Sequence, residues 1–167
     1  DPRANNSDVL DALDWAILNT PVRIFNYSYG SETSEGDTYM ARSLDQLVDI
    51  YGLVMVIAAG NLDAGEADCS VNDPGISYNG LTVANWTSRG TMNPGSCPGP
   101  TADGRWKHDL AAPGTAITST AHDWDGGLFG SNPNFVDKTG TSMAAPHIAG
   151  AAALLENYGI TNPLSVK

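Results

Sequence analysis

The chain has 167 residues, 41% of them apolar, which suits one domain with a buried core and is too few for two ordinary ones. A formal net charge of −11 argues against a nucleic-acid partner, because phosphate binding needs clustered Lys and Arg; acidic balance of this kind accompanies solubility or cation binding. Only 16% of residues are charged and Gly and Pro are frequent, a loop-rich globular composition, and the longest apolar run, Leu53 to Ala59, is too short to span a membrane.

No basic and apolar leader precedes Asp1, so any signal peptide is expected to have been removed or left out. Asp8 to Asn19 reads as an amphipathic helix: Val9, Leu10, Leu13, Ala16 and Ile17 share one face, with Asp8, Asp11 and Asp14 opposite. Ser7 is its expected N-cap, and Pro21 follows its end. Val22 to Tyr27 reads as a strand closing on Ser28-Tyr29-Gly30, and Thr38 to Tyr51 as a second helix ended by Gly52. Leu53 to Ala59 is continuously apolar rather than alternating, as in a parallel strand covered on both faces.

Gly60-Asn61 turns the chain at the carboxyl end of that strand. A further strand is expected near Gly80 to Ala84, then strand and turn sequence over Leu110 to Gly114 and Thr115 to Thr120. Ala121 to Lys138 reads as loop, and a last helix carries Ser142 and runs to about Asn157. This alternation predicts an α/β sandwich with a mostly parallel sheet, whose sites gather at the carboxyl ends of strands. Cys69 and Cys97 sit in loop-like sequence and either pair or remain separate thiols. N-x-Ser/Thr triplets at Asn5, Asn26 and Asn85 are short enough to arise by chance.

The strongest chemical signal is Gly140-Thr141-Ser142-Met143-Ala144-Ala145-Pro146-His147, a serine entering a helix of small and apolar residues. A helix N-terminus surrounds that serine with unpaired N–H groups, and its own N–H can face a developing oxyanion. Ala58-Ala59-Gly60-Asn61 places an amide at the end of a buried strand, where it can donate to the same oxyanion.

These two strings, together with Asn26-Tyr27-Ser28-Tyr29-Gly30 and the stretch from Pro100 to Gly114, resemble the subtilisin-like serine proteases over about Val9 to Asn157. The resemblance implies a three-layer α/β sandwich whose N-terminal part is missing, with residues 1–167 forming the C-terminal portion of a peptidase catalytic domain. It also implies Ser142 as nucleophile and Asn61 as oxyanion donor, with Ser28, Tyr29, Gly30, Ala58, Ala59 and Gly60 lining substrate. Tyr29 stands where the family usually carries an aliphatic residue. Asp73 would fall near the floor of the primary specificity pocket, with a basic substrate side chain as the consequence. Catalysis would need no cofactor; structural calcium is common among relatives, although no compact calcium loop is legible. The implied substrate is polypeptide, and the implied location extracellular, cell-surface or periplasmic.

The family's triad runs aspartate, histidine, serine, and neither the Asp-Ser/Thr-Gly turn nor the His-Gly-Thr-His helix start occurs in this chain. His147 lies five positions past Ser142, about 140° around a helix, so it points elsewhere. His108 falls in turn-and-strand sequence, and only a rearranged triad would use His122. The expectation is a chain inactive alone, whose aspartate and histidine lie upstream, on another chain or nowhere. The alternative is a non-catalytic peptide-binding or assembly module on a protease scaffold. A truncated sheet would leave an open edge, predicting self-association.

Overall fold

The computed structural model describes residues 5–33, 35–62, 69–121 and 134–167. In chain order they form α1 (Asn6–Asn19), β1 (Ile24–Tyr27), α2 (Tyr39–Tyr51), β2 (Val54–Ala58), β3 (Leu81–Trp86), β4 (Leu110–Pro113), β5 (Ile117–Thr120), β6 (Phe135–Lys138), α3 (Thr141–Asn157) and α4 (Pro163–Val166). Strands β1 to β4 make one sheet in sequential order, every neighbouring pair parallel, in registers such as Ile24 with Val54 and Val56 with Leu81.

The apolar run of β2 is explained by what covers it. Val54, Val56 and Ala58 pack with Leu81, Val83, Ala144, Ala145 and Ala152 beneath α3. Met55 and Ile57 point the other way, into a cluster with Leu13 of α1 and Met40, Leu44 and Val48 of α2. Helices thus cover both faces of the sheet, giving the α/β sandwich expected from the alternation in the three layers that the resemblance implied. Small residues on α3 let it lie close across all four strands.

The elements end where local chemistry ends them. Asn5, not Ser7, caps α1: its Oδ1 accepts from the Ser7 and Asp8 N–H groups at 2.9 and 3.1 Å, and Asp8 accepts from the Asn5 N–H at 3.0 Å. The three-residue spacing of Asn5 and Asp8 allows this reciprocal box, which outweighs a lone serine cap. Thr38 caps α2, and Gly52 ends it in the left-handed conformation at φ 63°. Strand β6 pairs antiparallel with β5, Ile117 opposite Lys138, inside the segment expected to be loop. Its four residues, Phe135 to Lys138, are too few to declare a period.

Cys69 and Cys97 form a disulfide. Among the described residues no helix is long and apolar enough to cross a membrane, and no group of three or more His, Cys, Asp or Glu is arranged to hold a metal ion.

Candidate active site

Parallel strands deliver their carboxyl ends to one rim, and four chain segments meet there: residues 28–32 after β1, 58–61 at the end of β2, Asn72, and the start of α3. They surround a cleft of about 290 Å3. Ser142 and Asn61 both border it, as do Ser28, Tyr29, Gly30, Ala58 and Gly60. Ala59 does not: it is fully buried behind the wall, its N–H donating to Val83 O at 3.0 Å and its carbonyl accepting from Asn72 N at 2.9 Å. The continuous apolar run hides this, because Ala59, just past the end of β2, still follows the strand's alternation.

Ser142 is fixed by a reciprocal pair of bonds across the cleft. Its Oγ donates to Ser28 O at 3.2 Å, and Ser28 Oγ donates to Ser142 O at 3.1 Å. Pro146 makes the second bond available, since it has no N–H to offer the carbonyl four residues back. Pro146, inside α3, therefore frees an acceptor that ties the start of that helix to the segment just after β1.

Asn61 is oriented by Thr141. The Thr141 N–H and hydroxyl donate to Asn61 Oδ1 at 2.8 and 3.2 Å, and the Gly60 N–H donates to Thr141 Oγ1 at 3.2 Å. With its carbonyl so engaged, the amide's NH2 is left without a partner among the described residues, as is the Ser142 N–H at the head of α3. Two donors therefore border one cleft beside one hydroxyl. The turn itself is braced from behind: Cys97 N donates to Gly60 O at 3.1 Å and Leu62 N to Gly95 O at 3.0 Å, beside an antiparallel bridge between Asn61 and Ser96. The disulfide ties this bracing segment to Cys69, where the chain returns toward the cleft.

Neither described histidine bonds the serine. His147 Nδ1 bonds Met143 O on its own helix at 2.9 Å. His108 precedes β4, at the amino end of the sheet, where burial holds its imidazole below the usual histidine range. His122 lies outside the described residues. Among the described residues, no histidine or carboxylate bonds the Ser142 hydroxyl.

Asp73 departs from its expected place. Its carboxylate accepts from the Thr38 hydroxyl at the head of α2, and its main chain pairs with Ser31 at 2.9 and 3.0 Å. Burial raises its pKa above the usual carboxylate value, against the hydrogen bonds from Thr38 and the Ala41 N–H; the charge of Glu35 adds to the rise. It does not border the cleft; its neighbour Asn72 and Glu32 do. The sequence reading missed both of these, and also Thr141, although Thr141 sits inside the string that drew attention to Ser142.

A second polar cluster occupies the far end of the sheet. Lys107 Nζ donates to Gly80 O, Thr82 Oγ1 and Asp109 Oδ2 at 2.9, 3.1 and 2.6 Å, and Lys167 reaches Asp109 Oδ1 at 3.2 Å. Burial pulls Lys107 down to about 8, although the bond and charge of Asp109 oppose it. Burial alone would raise Asp109, but hydrogen bonds from Lys107 and the Thr82 N–H, with both lysine charges, hold it below the ordinary carboxylate value.

Comparison with known proteins agrees with this architecture. The subtilase family model matches residues 1–167. Subtilisin of Bacillus pumilus is 31% identical over 147 residues, covering 88% of this chain and 46% of that protein. An extracellular protease of Xanthomonas campestris pv. campestris is 32% identical over 164 residues, covering 93% of this chain and 26% of that protein. The crystal structure of a cold adapted subtilisin-like serine proteinase superposes with a TM-score of 0.76 at 28% identity, covering 98% of this chain and 52% of that one. The chain thus spans about half the length of these relatives or less, mostly their C-terminal part. It belongs to the subtilase family.

Proposed function

We propose that this chain carries the nucleophile and the oxyanion site of a serine endopeptidase. Ser142 Oγ attacks the carbonyl carbon of a peptide bond while its proton passes to a general base. The carbonyl oxygen becomes an oxyanion that accepts from Asn61 Nδ2 and the Ser142 N–H. Collapse breaks the C–N bond, the base returns the proton to the leaving amine, and water then hydrolyses the ester and restores Ser142. One observation supports this reading: Thr141 holds the carbonyl end of Asn61, and Asn61 and Ser142 both border the cleft.

On this reading the base comes from outside the described residues, since none of them bonds the Ser142 hydroxyl as a histidine or carboxylate would. The open edge of β1 and the exposed side chains of α3, Leu154 among them, offer the segment that carries it a seat; a second copy of this chain is the competing occupant. The substrate is polypeptide, with extended chain lying against residues 28–30. Secretion fits a disulfide-bonded chain and relatives named extracellular proteases. No step of this mechanism requires a cofactor.

A second reading, a non-catalytic peptide-binding or assembly module, draws support from the missing base on Ser142. Fluorophosphonate labelling separates the two. The peptidase reading expects Ser142 to be labelled in the full-length protein and inert in this chain alone. An unlabelled full-length protein would leave the binding-module reading standing.

A further inference from the structure

The cleft has a floor as well as two walls, and Asn72 forms it. Its amide lies against the wall at Gly60, where a methyl group would sit 2.5 Å from Asn72 Cγ and 2.8 Å from both Oδ1 and Nδ2. On the opposite wall, a methyl group at Gly30 would sit 3.6 Å from Asn72 Cβ. Main-chain bonds fix the floor to both walls, since Asn72 N donates to Ala59 O and Asp73 pairs with Ser31. The Asn72 side-chain amide itself has no hydrogen-bond partner among the described residues. Glu32 also borders the cleft, and no Lys, Arg or His borders it among the described residues.

A space of about 290 Å3 suits one side chain rather than a whole small-molecule ligand. We infer that this cleft selects a substrate side chain that donates hydrogen bonds, lysine or arginine, over aliphatic and aromatic ones. An ammonium or guanidinium head donates to Asn72 Oδ1 and stands near the Glu32 carboxylate, while its methylene stem runs between the glycine walls. An apolar side chain in the same place covers the amide and leaves it unpaired, and an acidic one meets Glu32. Asp73 takes no part, because its carboxylate is turned to Thr38.

The inference rests on the peptidase reading, and one experiment tells their failures apart. The full-length protein is assayed on peptides differing only in the residue before the cleaved bond: Arg, Lys, Gln, Leu, Phe or Glu. Fluorophosphonate titration counts active molecules, so a partly folded variant does not distort kcat/KM. Arg and Lys are expected to exceed Leu and Phe by about tenfold or more, the worth of one hydrogen bond to a charged group, with Glu lowest. Glu32→Gln should lower the Arg-to-Gln ratio, and Asn72→Gly should move preference toward Leu and Phe. A labelled enzyme that cleaves after Leu or Phe as well as after Arg overturns the inference and leaves the peptidase reading intact. So does an Arg preference unchanged in both variants. A full-length protein that cannot be labelled overturns both.

Discussion

Asn61 holds Thr141 through the carbonyl end of its amide and, in the proposed mechanism, the oxyanion through its NH2 end, and two substitutions separate these tasks. Asn61→Ala removes the acceptor that holds the Thr141 N–H at 2.8 Å, and Thr141 is fully buried. Orphaning that donor costs about 1–3 kcal/mol of stability. The same change removes the proposed oxyanion donor; in subtilisin, a member of this family and the source of the figure, that loss is about 2.7–4 kcal/mol of transition-state stabilisation. Asn61→Asp keeps an acceptor for Thr141 and adds a negative charge at a helix N-terminus, where it is tolerated. It also replaces the donating NH2 by an oxygen that repels the oxyanion. Stability is read by urea unfolding of this chain, and kcat/KM on the full-length protein. The expected pattern is a destabilised, slow alanine variant and an aspartate variant within about 1 kcal/mol of the parent's stability yet at least as slow. Equal stability loss in the two variants, or an aspartate variant retaining its rate, would refute the assignment of the two ends.

Opening the Cys69–Cys97 disulfide by a double serine substitution should cost about 3.5 kcal/mol on a chain-entropy estimate, given its sequence separation of 28; chemical unfolding checks it. Asp109→Asn leaves Lys107 buried without its counter-charge and should cost about 3–5 kcal/mol at pH 6. Losing Asp109 lowers the folded-state pKa of Lys107 further below about 8, while the unfolded chain still binds that proton up to about 10.4. The variant's deficit should therefore shrink between pH 6 and 8, and a deficit constant over that range would contradict the pairing. Asp73 has a raised folded pKa, so its contribution to stability grows as pH falls through that value; Asp73→Asn should abolish the gain and leave side-chain preference unchanged, as unfolding against pH and peptide assays would show.

The layers of this fold were legible because burial on both faces writes itself into β2 as an unbroken apolar run, and Gly52 marks the end of α2 by itself. The serine helix was legible from its small residues. What escaped was set by distant partners. Asn5 displaced Ser7 as cap through its bond with Asp8, and β6 exists only because β5 pairs with it. The disulfide stayed open because 28 residues of separation say nothing about geometry. Asp73 and Asn72 are neighbours in the chain, and only the pairing of Asp73 with Ser31 and Thr38 decides which of them floors the cleft. The reciprocal bonds of Ser28 and Ser142 span 114 positions, so no local pattern announces them.

The account stands on one small volume shared by the Ser142 hydroxyl, the Ser142 N–H and the Asn61 NH2. A crystal structure of the full-length protein carrying a phosphonate ester on Ser142 Oγ measures it directly. The expected result is one phosphonyl oxygen at about 2.7–3.1 Å from both Asn61 Nδ2 and Ser142 N. An adduct whose oxygen turns to solvent, with Asn61 Nδ2 bonded elsewhere, would contradict the account.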